Sequence, residues 1–188
     1  MRWLKVVLSA VGILMTMLGW AAFEITPAMQ QELDKTIETV KAWAADPVLV
    51  SAVTAQNQKG PMAGLDNAKW KTIRRSDEQV KAFQNNDAGK LLKQKLEESK
   101  GLYTEAFLNA SQGEKVAFVD KTTSYLHKGQ PKFDTPFTTG KPWQGLPEFD
   151  ESSQTHQIQV AVPVLADGKS IGVLVVGVNL TRLGELTK

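Results

Sequence analysis

The sequence predicts an α+β fold in which a long N-terminal helix packs on an antiparallel sheet of roughly five strands. Three observations carry that prediction. Between residues 26 and 100, apolar side chains recur at three- and four-residue intervals, the spacing of helices that bury one face. Between 102 and 181 the pattern changes to short alternating or continuous runs rich in β-branched residues, separated by Gly-containing turns. The two patterns are segregated along the chain, with helices first and strands after, which is the order of an α+β domain.

The elements follow in order. "MRWLKVVLSAVGILMTMLGWAAFE" opens with Arg2 and Lys5, runs apolar from Val6 to Phe23 and closes at Glu24. This reads as an export signal. Two fates fit residues 1–23. They form a signal peptide, cut after Ala21 behind the small-residue pattern Gly19-Trp20-Ala21, or they stay as an N-terminal membrane anchor, since about eighteen apolar residues just span a bilayer. The basic residues in front would stay cytoplasmic and leave residues 24–188 outside, periplasmic or extracytoplasmic, as one domain, helical over 26–100 and sheet over 102–181.

"TPAMQQELDKTIETVKAWAADP" places Thr26 as an N-cap with Pro27 at the first helical position. Met29, Leu33, Ile37, Val40 and Ala44 form its apolar stripe, read as core or dimer seam. Asp46-Pro47 re-caps the chain, and "DPVLVSAVTAQNQ" starts a second helix. "LDNAKWKTIRRSDEQVKAF" and "DAGKLLKQKLEESKG" read as two further helical pieces. "LYTEAFLN-ASQGE-KVAFVDKTTSYL" is strand, turn and strand, with Gly113 free to take a positive φ. "HKGQPKFDTPFTTGKPWQGLPEFDESS", rich in Pro, Gly and aromatics, reads as a long loop with one helical turn. In the next strand His156, Ile158, Val160, Val162 and Val164 share one face, and Thr155, Gln157, Gln159, Ala161 and Pro163 the other. Asp167-Gly168 makes the turn into the last strand, which is apolar on both faces and so belongs in the middle of the sheet.

Composition narrows the function classes. The formal net charge is +2, but setting aside Arg2 and Lys5 leaves 20 basic against 20 acidic residues, so no basic field exists to attract nucleic acid. With no cysteine, disulfides, thiol nucleophiles and Cys-ligated metals are excluded. Only two histidines occur, His127 and His156, and there is no H-E-x-x-H spacing, no G-x-S-x-G elbow and no P-loop. "GKSIG" lacks the upstream glycine of a phosphate loop and sits in a hairpin turn. Arg74 and Arg75, beside Asp77 and Glu78, read as a solvated helix-surface pair, and Glu148, Asp150 and Glu151 as a solvated loop. No catalytic residue, metal site or cofactor is expected.

The helix break "AADPVLVSAVTAQN", the hairpin "TEAFLNASQGEKVAFVDKTTSYL" and the ending "VPVLADGKSIGVLVVGVNL" together resemble the Cache (PAS-like, or PDC) extracytoplasmic sensor domains of bacterial receptors, over roughly residues 26 to 183. That resemblance implies a long first helix on an antiparallel sheet, with a ligand held between one sheet face and the loops after the second strand. In receptors of this type the final strand leads into a second transmembrane helix and a cytoplasmic transmitter; here only "TRLGELTK" follows Leu180. The expectation is a stand-alone, single-domain form that binds a small polar solute (an organic acid, amino acid or amine). It would pass occupancy to a separate membrane sensor kinase, chemoreceptor or cyclase, and the first helix would offer a homodimer surface. Two other readings stay open, a non-sensing structural or interaction protein of the cell envelope and a small exported hydrolase with a dyad at Asp150 and His156.

The resemblance points to "TTSYL", "KPWQG", "PEFDESS" and "THQIQ" as the ligand side. Pockets need apolar walls and a few fixed polar groups. Tyr125, Trp143 and Phe149 can supply the walls, and Asp150, His156, Gln157 and Gln159 the polar contacts. Each has a plainer alternative: Tyr125 capping the core, Trp143 pinning a loop, Asp150 capping a turn, His156 satisfied in the core, and the two glutamines on a solvent face.

Overall fold

In the computed structural model, which describes residues 23–150 and 155–187, the helices come first and wrap a sheet built from the second half of the chain. The signal or anchor expected at 1–23 lies outside the described residues apart from Phe23. Among the described residues no helix is long and apolar enough to cross a membrane.

Helix α1 spans Pro27–Ala44, with Thr26 Oγ1 accepting the Met29 N–H as its cap. Its stripe Met29, Leu33, Val40 and Ala44 is buried against the sheet. The stripe is therefore core, and the dimer seam that the first helix was expected to offer is not on this face. Helix α2 (Pro47–Lys59) is capped by Asp46 and stopped by Gly60 at φ 71°. The third helical piece is two helices, α3 (Asn67–Thr72) and α4 (Glu78–Asn85). Ile73 leaves the helix in an extended conformation, and Asp77 then closes a turn by accepting the Arg74 N–H on Oδ2 and donating its own N–H to the Arg74 carbonyl. Arg74 and Arg75 thus sit in a turn rather than on a helix surface. Helix α5 (Asp87–Glu98) begins at an Asn86 cap.

Strands β1 (Tyr103–Ala110) and β2 (Lys115–Phe118) form the first hairpin. The long loop contains helix α6 (Pro131–Thr139) and the short strands β3 (Trp143–Gln144) and β4 (Glu148–Asp150). Its Pro and Gly content concealed that helix, because Pro131 stands at its first turn and Gly140, at φ 68°, ends it. Strands β5 (Thr155–Ala166) and β6 (Lys169–Asn179) form the last hairpin, and α7 (Leu180–Leu186) follows. Asp167 and Gly168, both at positive φ (49° and 73°), make the two-residue turn that matches strand twist.

The sheet is antiparallel in the order β2-β1-β6-β5-β3, with β4 pairing the start of β5. Strand β6 is central and buried from Gly172 to Val178. The alternation along the strands divides two cores. One face, with Ala106, Leu108, Ile158, Val160, Val162, Leu174 and Val176, packs on α1, α2, α5 and α7. The other, with Phe107, Ala161, Val173 and Val175, packs on Trp70 of α3, Val80 of α4 and Phe133 of α6. The cavity opens on the second face.

Candidate ligand-binding site

Strand alternation sends Glu105 and Phe107 of β1 and Gln157 and Gln159 of β5 to the same face, on either side of Gly177 in β6. Gly177 has no side chain there, so the long side chains of the flanking strands close over it. A Cβ at that position would stand 2.5 Å from Thr104 Oγ1 and 2.7 Å from Glu105 Cγ. A register shift between Tyr103 and Glu105 lets Thr104 reach the cavity as well. The result is a cavity of about 390 Å³, within the usual size of small-molecule sites.

Two hydrogen-bond chains set its floor. Lys132 Nζ of α6 donates to Gln159 Oε1 at 3.0 Å, and Gln159 Nε2 donates to Glu105 Oε1 at 2.6 Å. Thr104 Oγ1 donates to Gln157 Oε1 at 2.9 Å, and Gln157 Nε2 to Glu148 Oε1 at 3.3 Å. The facing wall is the segment 120–127, tied back to α3. Trp70 Nε1 donates to the Thr122 carbonyl at 2.8 Å, and Asn67 hydrogen-bonds the backbone of Tyr125 and Leu126. Arg75 and Lys121 stand at the rim, where desolvation and then the Arg75 charge hold the Lys121 amine below its ordinary pKa.

At the closed end, His127 is buried and its ring lies 4.9 Å from that of Phe107. Burial, with the neighbouring Lys115 and Lys132 charges, pushes its pKa down to about 2, so it is a neutral imidazole at any physiological pH. Behind Phe107, Lys115 is fully buried with its Nζ 3.4 Å from the ring centroid. Cations and carboxylates therefore converge on one small space, with Lys132 and Arg75 against Glu105, Glu148 and Asp150.

Of the seven residues singled out from sequence, the cavity brings together Asp150, Gln157 and Gln159. The other four stand elsewhere. Tyr125 is entirely buried, accepts the Met62 N–H on its phenol oxygen at 3.0 Å and packs on Trp70. Trp143 packs against the core of the same face and covers Gly145, whose added Cβ would meet the indole at 2.9 Å. His156 lies on the opposite sheet face, 4.9 Å from the Phe23 ring and 5.2 Å from Phe149, its cross-strand partner. The β4–β5 register thus turns His156 and Phe149 one way and Asp150 the other. The residues missed were Thr104, Glu105, Phe107, Asp120, Lys121, His127 and Lys132, and Arg75 and Glu148, read from sequence as solvated, line the cavity too. One signal was available: Glu105 is the one charged residue of β1, on the same alternation as Phe107.

A larger groove of about 850 Å³ runs between α2 and α4, but Lys59 is its only charged lining residue. Among the described residues no group of three His, Asp or Glu side chains is arranged to hold a metal ion.

No family model and no curated protein matches the sequence. Solved structures do match. The sensor domain of the V. cholerae histidine kinase DctB is 17% identical with a TM-score of 0.57, over 84% of this chain and 53% of that one. The ligand-binding domain of the Campylobacter jejuni chemoreceptor Tlp3, in complex with L-valine, is 16% identical with a TM-score of 0.44, over 87% of this chain and 68% of that one. That of the Pseudomonas aeruginosa amino acid chemoreceptor PctC, in complex with GABA, is 12% identical with a TM-score of 0.39, over 82% and 64%. The chain spans about half the length of the DctB sensor domain, and the likeness is one of fold.

Proposed function

From a chain with the fold of Cache-type sensor domains, we propose an extracytoplasmic ligand-binding module whose cavity takes a small polar solute and whose occupancy is read by a separate membrane signalling protein. The observation that carries it is the convergence of Lys132 and Arg75 with Glu105, Glu148 and Asp150 in one cavity of small-molecule size. Such a charge pattern suits a ligand that carries both signs, which favours the amino-acid class over a plain acid or amine. Gln157 and Gln159 are the proposed neutral hydrogen-bonding contacts. Residues 1–23 would serve as anchor or export signal. The sensor domain of a histidine kinase with the same fold supports a kinase-type partner. No catalytic role is proposed. His156 and Asp150 leave opposite faces of the β4–β5 ribbon, so the dyad of the hydrolase reading does not form.

Coupling needs an element whose position differs with occupancy, and the ligand must favour one position to move it. Helix α6 carries Lys132 over the cavity, and the 120–127 segment forms its other wall. A ligand touching both would hold them in one arrangement. The test is a thermal-shift screen of the full chain against amino acids, organic acids and amines. A true ligand at a hundred times its Kd stabilises by about 2.7 kcal/mol. A flat response across all three classes would overturn the sensing reading and favour a structural role.

A further inference from the structure

Buried polar groups nearly always have partners, and those that lack them call for a reason. Four such residues stand at the closed end of the cavity, His127 in its wall and Asn109, Glu114 and Lys115 outside its lining. Asn109, Glu114 and Lys115 have no exposed surface and His127 has 2%. Among the described residues, Lys115 Nζ, both amide atoms of Asn109, His127 Nδ1 and Glu114 Oε1 make no hydrogen bond.

Their placement follows from the register. Along β1 the cavity face carries Glu105, Phe107 and Asn109 in succession, so Asn109 stands one strand step, about 7 Å, beyond Phe107. Asn109 and Lys115 are cross-strand partners in the β1–β2 hairpin. Lys115 lays its amine over the Phe107 ring, and His127, in the cavity wall, meets the same ring at a tilt of 39°. Phe107 joins the cavity lining to these groups. A second cation, Lys132 Nζ, stands 5.8 Å from its centroid.

We infer that the cavity continues behind Phe107 into a closed anion-accepting subsite, formed by Lys115 Nζ and Asn109 Nδ2 beside His127, that receives the carboxylate end of the ligand. This deepens the sensing reading and rests on it. The donors left over at this end are the Lys115 amine and the Asn109 amide; with the amine protonated they are the complement of a carboxylate, and they are already desolvated. The acidic groups nearer the opening, Glu148 and Asp150, then face the cationic end. Entry requires the Phe107 ring to turn aside, which gives a ligand-dependent movement at the hairpin itself.

The subsite also ties binding to protons. The charged groups facing Lys115 are Glu105 from β1, which favours its charge, and Lys132 from α6, which opposes it; His127, from the β2–α6 connection, is neutral. Glu114 accepts the Gln112 N–H on Oε2 within its own turn. Desolvation is the largest influence on Lys115 and favours its neutral form. A bound carboxylate supplies the missing counter-charge, so the amine takes up a proton from solvent as the anion enters.

Acetate, the smallest carboxylate, is the probe. The full chain, labelled at lysine and asparagine for NMR, is titrated with sodium acetate at fixed ionic strength. The expected result is a saturable shift of the Lys115 and Asn109 side-chain signals, with the Lys115 pKa rising by about one unit or more. Silence at both residues would overturn the subsite, and so would an unchanged Asn109 response in Lys115→Met. The wild-type titration decides the matter even where a variant fails to fold. The same variant in the thermal-shift screen separates the two readings. A ligand that stabilises wild type and Lys115→Met equally leaves the cavity and removes the subsite. Acetate binding with no ligand from the screen leaves the subsite and removes the sensing reading. With both correct, Lys115→Met weakens the carboxylate-bearing ligand at least about thirtyfold.

Discussion

Asn67 and Leu126 exchange a reciprocal pair of hydrogen bonds: the Leu126 N–H donates to Asn67 Oδ1 at 2.8 Å, and Asn67 Nδ2 donates to the Leu126 carbonyl at 3.0 Å. A side-chain amide at the start of α3 thus does for the 125–126 backbone what a neighbouring strand would do. The same Oδ1 also accepts the Tyr125 N–H at 2.8 Å. This helps hold the cavity wall, which is tied to the β1–β2 turn by an isolated bridge between Glu114 and Leu126. Asn67→Ala removes three bonds and leaves backbone groups unpaired, so a loss of roughly 2 kcal/mol or more is expected in urea unfolding. Hydrogen exchange should rise first at Tyr125 and Leu126.

Gly177→Ala places a methyl group where Thr104, Glu105 and Gln157 now meet over β6. The nearest atoms belong to side chains, which can move, so the fold should survive while the two floor hydrogen-bond chains are displaced. The expected outcome is loss of ligand-induced thermal shift with a Tm close to wild type. Retained binding would mean that the ligand does not sit over Gly177.

Gly113→Ala should behave in the opposite way. Gly113 is at φ 83°, and its added Cβ would collide with the backbone nitrogen of Lys128. The left-handed conformation alone costs about 1–2 kcal/mol for an L-residue. Backbone cannot give as a side chain can, so chemical denaturation should show a larger loss than for Gly177→Ala, together with displacement of His127, whose N–H donates to the Gly113 carbonyl.

Stability should rise with pH. His127 is neutral when folded, with its pKa held near 2 by burial and then by Lys115 and Lys132, whereas the unfolded imidazole takes a proton below about 6.5. Between those values the unfolded state binds more protons, so stability falls with acidification by up to about 1.4 kcal/mol per pH unit. Lys115 acts with the same sign, because burial lowers its folded pKa below the unfolded value and stability is lost as pH falls from about 10.5. Urea midpoints from pH 5 to 9 should therefore climb, and His127→Leu should flatten the acid side.

Lys115→Met removes an unpaired buried amine and keeps its aliphatic length. In the absence of ligand the variant should be more stable than wild type, by about 1 kcal/mol or more at neutral pH, and less dependent on alkaline pH. Equal or lower stability would indicate that the Phe107 ring already compensates the charge.

How much of this was readable in advance differs by level. The hairpins were legible, because Asp167-Gly168 and Gly113 are turn residues with a local mechanism and β5 alternates strictly. Helix α6 was not, since Pro131 and Gly140 carry the same composition as a loop and differ only in position. In the site, alternation separated Gln157 and Gln159 from His156, but sequence alone could not say which face held the cavity, because helices cover both. The deciding features are tertiary: the small Gly177 on one face, and α3, α4 and α6 standing off from it. Tyr125 reads as a ligand wall because it is an aromatic in the "TTSYL" stretch to which the resemblance points, and the Met62 N–H that instead ties its phenol into the core comes from 63 residues away. Lys115, beside a turn in "GEKVAF", has the look of a solvated lysine; only cross-strand pairing with Asn109 buries it.

The central position of β6 has a consequence for how the chain acquires its shape. Strand β1 is complete by residue 110, yet its inner neighbour is made of residues 169–179. Until those residues leave the ribosome, both edges of the β1–β2 hairpin are open and the helices have no complete sheet to pack on. Closure of the sheet therefore waits for β6, and it is slowed by the long loop that must close between β1 and β6. A nascent chain of this design keeps its sheet incomplete for as long as the β5–β6 hairpin is withheld.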